Sequence, residues 1–488
     1  MAGSTNTARE YELNPVKFSR LSRRGLMLGL SGPQLACLGA SGLTVVIGLY
    51  VGGGMGIAWT SPLWLAGVAL ALLGIGGRKL IEWAPIVLRW TSRTRKGQTM
   101  FNRRIAKPRP AGTLALPGDA AALRQWVDPT SGAVMVHDPH AATLTAIVEV
   151  THPSFVLLDP AEQERRVQAW SRVLATACRS GRIARLQVLE RTLPDSGSGL
   201  ADWWRLHGRD DGSWTAKVYQ ELIRRAGPAS ERHATTISLA LDMKTASRAI
   251  RGAGGGMKGA AAVLSQEMNT LTTALRSADL NPGKWLSPEQ LAFILRTAYD
   301  PASSTTLDRY PVVGRALADA GPVAVRESWA SMRTDTAHHA VLWISEWPRS
   351  QVFPGFLSPV LLSSGIRRSF SLMVMPMRAD QAARDLRRKK TEHIADQAQR
   401  AKIGQIEDAA TTAEYADVLK QEADLTSGHG VVRYVGLITV STSTEEDLQA
   451  ALAAIEQAAV QASCETRTLV GQQAQAFTAA ALPLCREV

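Results

Sequence analysis

The chain has little of what catalysis or metal binding relies on. Its four cysteines, Cys37, Cys178, Cys464 and Cys485, are scattered through 488 residues without a C-x-x-C pair. That pattern indicates neither a disulfide framework nor a zinc site, and fits reduced cysteines acting as small buried apolar residues. No H-E-x-x-H, G-x-S-x-G or G-x-x-x-x-G-K-[ST] pattern occurs, so the usual metalloprotease, serine-hydrolase and P-loop chemistries have no sequence basis. The longest absence is of charge: residues 33–77 contain no Asp, Glu, Lys, Arg or His.

A bilayer core takes about 20 mostly apolar residues per helix. The uncharged stretch therefore predicts two short spans, roughly 33–53 and 60–77, bent around Gly52, Gly53, Gly54, Thr60, Ser61 and Pro62. Tyr50, Trp59 and Trp64 lie near that bend, where amphipathic rings favour the headgroup layer. Small residues on the first span, Gly39, Gly42 and Gly48, are the expected membrane-packing positions. Cations flank both ends and are missing from the bend, so the positive-inside rule puts both termini in the cytoplasm and predicts a multi-pass protein of the plasma membrane. Arg78, Lys79, Arg93, Arg95 and Lys96 are expected to meet lipid headgroups. Ser22-Arg23-Arg24 resembles a twin-arginine export signal, but the second apolar span and the more basic flank beyond it favour a plain positive border.

The sequence pI of 9.8 invites a nucleic-acid reading. Fifteen of the 55 Lys and Arg and three of the 43 Asp and Glu lie in residues 1–109, leaving 40 of each sign beyond. All the excess positive charge thus borders the membrane segment, and no direct nucleic-acid partner is expected.

The organisation follows as a basic segment 1–32, the hairpin 33–77, a basic juxtamembrane linker 78–118, a first α+β lobe 119–320 and a second 321–488. In the first lobe, LTAIVEV (144–150) alternates as a strand, and Asp159-Pro160 caps a helix to about Cys178. Ala184–Arg191 and Thr235–Leu241 are further strands, and Ser287-Pro288-Glu289-Gln290 opens a helix with a capping box. In the second, Ala340–Glu346, Phe370–Met375 and Val431–Val440 are strands. Ser443 and Glu446 form a capping box ahead of a helix whose Leu448, Leu452, Ile455 and Ala459 share one face, and Thr466–Val470 closes a β-α-β unit. Set beside 144–191, this unit predicts two split β-α-β, ferredoxin-like lobes. Residues 378–424 are Ala-rich and dense in both charge signs, which predicts a helical arm broken near Gly404. Arg387, Arg388, Lys389 and Lys390 on it are a solvated face or a docking site for an acidic partner.

Other candidates are weaker. His137-Asp138-Pro139-His140 fits a turn better than a metal site, and His338-His339 fits a strand start. Gly252–Gly259 lacks the P-loop pattern and reads as a surface loop. Trp203, Trp204, Asp210 and Asp211 are the residues a transferase-like cleft would use. No cofactor, metal or small-molecule substrate is indicated.

Five stretches form a series: GPVAVRESW (321–329), WISEWPRSQVF (343–353), MVMPMRADQAARDLRRKK (373–390), RYVGLITVST (433–442) and the segment from Gly471 to Leu484. Together they resemble a family of actinobacterial membrane proteins associated with conjugative, type IV secretion-like elements. The soluble part looks like the N-terminal, non-motor region of the VirB-type conjugation ATPase, and the hairpin looks like the small two-helix subunit that joins that ATPase to the membrane. In such ATPases an AF…LP segment leads into the motor; here Ala476-Phe477…Leu482-Pro483 is followed by only a few residues. The resemblance therefore implies a non-enzymatic membrane scaffold that docks a separate motor ATPase and other membrane subunits, with homo-oligomerisation an open alternative. The E-type core subunit of the type VII secretion machinery shares the architecture of two N-terminal spans and a cytosolic domain, and is the alternative reading. A membrane-anchored transferase is the third.

Overall fold

The computed structural model describes residues 18, 30–75, 78–104, 106–107, 112–152, 155–226, 231–309, 317–403, 409–427 and 429–487. The protein mixes helix with a large antiparallel sheet and carries one long apolar helix near its N-terminus. It divides into two compact units, Arg20–Thr99 and the remainder. Nearly all of the basic segment 1–32, Pro108 and Pro110 of the expected linker, and Gly404 lie outside the described residues.

In the smaller unit, Gly32–Leu72 is helical except at Gly52 and Gly53, whose backbone angles leave the helical region; φ of Gly53 is +58°. Glycine tolerates that positive φ at little steric cost, and the chain reverses there. The two arms then run side by side, with Gln34 Nε2 donating to Ala71 O at 2.7 Å. Thr60, Ser61 and Pro62, expected at the bend, instead lie inside the second arm, where Thr60 Oγ1 donates to Gly56 O at 2.9 Å. The helix Leu80–Arg95 follows and buries none of its residues.

The larger unit is built on a 13-stranded sheet. Its strands are β1 (Met100–Asn102), β2 (Arg124–Val127), β3 (Val134–Asp138), β4 (Thr143–Thr151), β5 (Ile183–Pro194), β6 (Glu231–Asp242), β7 (Asn281–Trp285), β8 (Ala324–Glu327), β9 (Met332–Arg333), β10 (His338–Glu346), β11 (Arg367–Pro376), β12 (Val432–Thr442) and β13 (Glu465–Thr468). The order is β1-β8-β9-β10-β12-β11-β5-β6-β4-β3-β2, with β13 also beside β10 and β7 also beside β4.

That order is palindromic about the β5–β11 seam. In the first half, β4, helix Pro160–Ser180, β5, β6, helix Gly256–Arg276 and β7 place their strands as β7-β4-β6-β5. In the second half, β10, helix Ser358–Leu361, β11, β12, helix Glu445–Gln461 and β13 place theirs as β13-β10-β12-β11. Between its second and third strand each half inserts a helix pair, Ser198–His207 with Trp214–Ala226 and Ala379–Ile403 with Ala409–Thr426. The counterpart of 432–468 is thus 231–285, not the expected 144–191. Both are β-α-β units with an antiparallel strand between their strands, but only position in the sheet tells which corresponds to which.

Strands from 119–320 and from 321–488 share this one sheet, joined at the seam from Leu186↔Val374 to Arg191↔Ser369. One sheet face packs on the helices Pro160–Ser180, Gly256–Arg276 and Glu445–Gln461. The other carries Pro288–Tyr299 and the C-terminal stretch through Cys485. Caps fall where short polar residues precede apolar periodicity: Asp159 Oδ1 accepts the Glu162 N–H at 2.8 Å, and Ser287 caps Pro288–Tyr299. The cap of Glu445–Gln461 is Thr444, one residue beyond the expected Ser443, with its Oγ1 accepting the Asp447 N–H at 3.1 Å.

Ile455 sits at the centre of the second-half core, fully buried. Ile455→Ala should lower unfolding free energy by about 2–5 kcal/mol, read from the urea midpoint of the full-length protein in mild detergent. A midpoint unchanged from wild type would contradict this packing.

Candidate membrane and docking surfaces

The apolar helix Gly32–Leu72 is long and apolar enough to cross a membrane. Its arms meet along a small-residue track. A Cβ added at Gly48 would stand 2.6 Å from Thr60 Oγ1 and 2.9 Å from Gly56 O, and Gly67 faces Ser41 closely enough that it too has no room for one. Gln34 closes the open end: its Oε1 accepts the Ser31 N–H at 2.8 Å while its Nε2 reaches Ala71 O. Of the expected packing glycines, Gly48 is therefore buried between the arms, whereas Gly39 and Gly42 face outward with open space where a Cβ would stand. Gln34, Gly56 and Gly67 were not singled out from sequence, because spacing within one arm does not reveal which residues of the other it meets.

The expected lipid-contacting cations sit on the same unit. Lys79 Nζ donates to Leu72 O at 3.1 Å, and the Arg78 guanidinium lies 6.0 Å from the centre of the Trp83 ring. Arg93, Arg95 and Lys96 gather at the C-terminal end of Leu80–Arg95, where the helix dipole favours positive charge.

On the helical arm, three of the four proposed docking cations are engaged internally. Lys390 Nζ bonds Glu422 Oε2 at 2.8 Å, tying Ala379–Ile403 to Ala409–Thr426 and raising the lysine's pKa. Arg388 and Lys389 pair with Asp385 at 2.8 and 3.6 Å. The His393 and Tyr415 rings stack at 4.3 Å between the same two helices. Arg387 alone of the four is exposed with no carboxylate partner among the described residues. The arrangement is that of a self-neutralised helix pair.

The tryptophans lie on the corresponding pair of the first half. Trp204 packs on Tyr219 at 4.7 Å and Trp203 on His207 at 5.2 Å, beside an open cleft of about 410 Å³ that Asp211 also lines. Asp211 Oδ1 accepts the Ser213 N–H at 3.0 Å, which fixes the turn, and hydrogen bonding from the Ser213 side chain and then its N–H holds the Asp211 pKa below the usual carboxylate range. Asp210 does not join that lining. Among the described residues no group of three or more His, Cys, Asp and Glu could hold a metal ion.

Of the histidines singled out in the sequence, His137 and His140 flank a turn and His339 lies in the core. The Asp138 carboxylate accepts the His140 N–H at 3.0 Å in the turn after β3, and burial pulls the His137 pKa down. His339 is buried between Thr334 Oγ1 and Ser441 Oγ, each at 2.8 Å, with its ring 4.8 Å from that of Phe477. Desolvation pulls its pKa down to about 3. The glycine run is a tight turn between helices Ser247–Gly252 and Gly256–Arg276, with positive φ at Gly254, Gly255 and Gly256. A Cβ at Gly259 would collide with Ile250 O. Backbone conformation accounts for Gly254, Gly255 and Gly256, and close helix approach for Gly259.

Two predictions follow from the apolar track and the buried histidine. Gly48→Leu must push the arms apart, an overpacking cost of about 1–3 kcal/mol or more, and should lower the melting midpoint in mild detergent; Gly42→Leu should not. Equal shifts for the two would sink the assignment of inner and outer faces. His339 takes up its proton near 6.5 when unfolded but only near 3 when folded, so its contribution is complete above pH 6.5 and falls away as pH drops toward 3. Urea unfolding at stepped pH should show a shallower acid loss in His339→Gln than in wild type; parallel curves would remove His339 as a source of acid sensitivity.

Comparison with known proteins gives one family match. Residues 229–344, running from β6 nearly to the end of β10, match the family model described as EccE, putative type VII ESX secretion system translocon. Two of the stretches quoted for the conjugation likeness, 321–329 and the start of 343–353, overlap this segment, yet the likeness to conjugation ATPases gains no support. A search of curated proteins finds no match. The chain thus contains a segment similar to a family of secretion-associated translocon proteins.

Proposed function

We propose that the protein is a membrane-anchored core component of a type VII secretion translocon, acting as a scaffold with no catalysis of its own. The observation that carries this reading is the EccE match over 229–344, in a chain that also has an apolar segment fit for a membrane. The arms of that segment form a two-helix hairpin in the bilayer with both flanks in the cytoplasm. Two contacts support the hairpin: Gln34 with Ala71 at its open end, and Phe18, before it, against Trp347, Phe356 and Tyr434, after it. A single crossing would put Phe18 and that aromatic group on opposite sides.

Strand orders β7-β4-β6-β5 and β13-β10-β12-β11 support reading each half as a ferredoxin-like lobe. Gly39 and Gly42, open on the hairpin surface, offer close approach to other membrane subunits. Arg387, with the exposed Leu206, Trp214 and Leu222 of the first-half helix pair, offers contact to soluble partners, a motor ATPase among them.

Mild-detergent purification of the full-length protein from its native membrane, followed by mass spectrometry of co-purifying proteins, tests this. Recovery of the membrane subunits and ATPase of a type VII system is expected. Recovery of a conjugation ATPase instead, or of no membrane subunit, would overturn it.

A further inference from the structure

The helix face of the second half is incompletely covered by its own elements. Where the first half lays the 21-residue helix Pro160–Ser180 over β4 and β5, the second has only the four-residue helix Ser358–Leu361. On the strands left underneath, Tyr434 and Gly436 are two residues apart on β12, opposite Val374 and Leu372 of β11, so both point to the helix face. Gly436 is a cradle: a Cβ there would stand 2.9 Å from Trp347 Cζ2 and 2.8 Å from Ile344 Cδ1. Its absence lets the Trp347 ring lie against the sheet, edge-on to Tyr434 at 5.2 Å.

Phe18 occupies the resulting hollow. Its ring stacks on Trp347 at 5.2 Å and meets Phe356 and Tyr434 edge-on at 5.4 and 5.8 Å. These are the separations and angles at which aromatic quadrupoles attract. The Tyr434 phenol is pushed up to about 12 by burial. Beside Trp347 the rim carries Glu346 and Glu465, both within ion-pair reach of Arg349, and the sequence around Phe18 reads VKFSRLSRR, with four cations and no acid.

We propose that Trp347, Phe356 and Tyr434, floored by Gly436, form a recognition pocket for an aromatic side chain carried in a basic linear segment, and that its resident ligand is Phe18 of the same chain. The pocket holds Phe18 against the second half of the sheet, filling the place a longer first helix would take. The inference does not rest on the translocon reading, and its test needs no partner subunit.

A fluorescein-labelled peptide of residues 11–25 is titrated with the full-length protein in mild detergent and followed by anisotropy. Phe18→Ala protein, its pocket vacated, should bind the peptide about tenfold or more tightly than wild type does, and Phe18→Trp protein should behave like wild type. The same peptide carrying Phe18→Ala should lose most of its binding to the vacated protein. Tyr434→Ala added to the Phe18→Ala protein, with unchanged circular dichroism, should weaken the native peptide. Trypsin should cut after Lys17 and Arg20 faster in Phe18→Ala than in wild type. Equal peptide affinity for wild-type and Phe18→Ala proteins, or undiminished binding of the Phe18→Ala peptide, would overturn the proposal; the latter would show attraction by charge alone.

Discussion

One buried amide holds the seam on which the larger unit depends. Gln187, on β5, is fully shielded from solvent, and its Nε2 donates toward Ser371 Oγ on β11 and toward Ala479 O and Leu482 O of the C-terminal stretch. Its Oε1 accepts the Cys485 N–H at 2.8 Å. A neighbouring hydroxyl, Ser238 Oγ on β6, donates to Pro483 O. The helix Gln473–Ala480 ends here and the chain continues to Cys485 buried and irregular, so the carbonyls of Ala479, Leu482 and Pro483 and the Cys485 N–H need partners from outside it; unsatisfied, each would be costly. The side chains on the sheet supply the missing partners. In the same stroke the C-terminal segment, with Phe477 and Leu482 buried beneath it, is fastened across the line where the two halves meet.

The two halves share a plan but diverge in what they add to it. Each carries a helix pair between its second and third strand, yet the first pair shows apolar and aromatic residues outward and the second is bound by its own ion pairs and the His393–Tyr415 stack. Exposed ion pairs of this kind contribute little stability, so Lys390 and Glu422 register one helix against the other more than they strengthen the fold. The second half also has a much shorter first helix, and an aromatic residue from far away in sequence covers part of what it leaves open. The strand order is shared, and local differences make the two ends unlike.

Much of this was legible residue by residue. The helix starts at Pro160 and Pro288 follow from a short polar cap before a proline, and the strands β4, β10 and β12 follow from alternating or continuous apolar runs. The apolar face Leu448, Leu452, Ile455 and Ala459 packs as its periodicity requires. What misled was position. Thr60 to Pro62 look like a bend by residue type, but the second arm's partners and the positive φ available at Gly53 put the reversal earlier. Gly39, Gly42 and Gly48 look alike in sequence, yet only Gly48 meets the opposite arm.

The sequence by itself determined the uncharged stretch, the asymmetric charge that borders it, the caps and the apolar periodicities, because each is a local property that one segment carries whole. Only the tertiary structure decided which strands become neighbours, which half corresponds to which, that Gln187 meets Ala479, Leu482 and Cys485, and that Phe18 finds Trp347, Phe356 and Tyr434. Those contacts join residues roughly 300 to 400 positions apart, and no spacing rule reaches that far. They depend on the complementary shapes and hydrogen-bonding groups of two surfaces that exist only once each has folded.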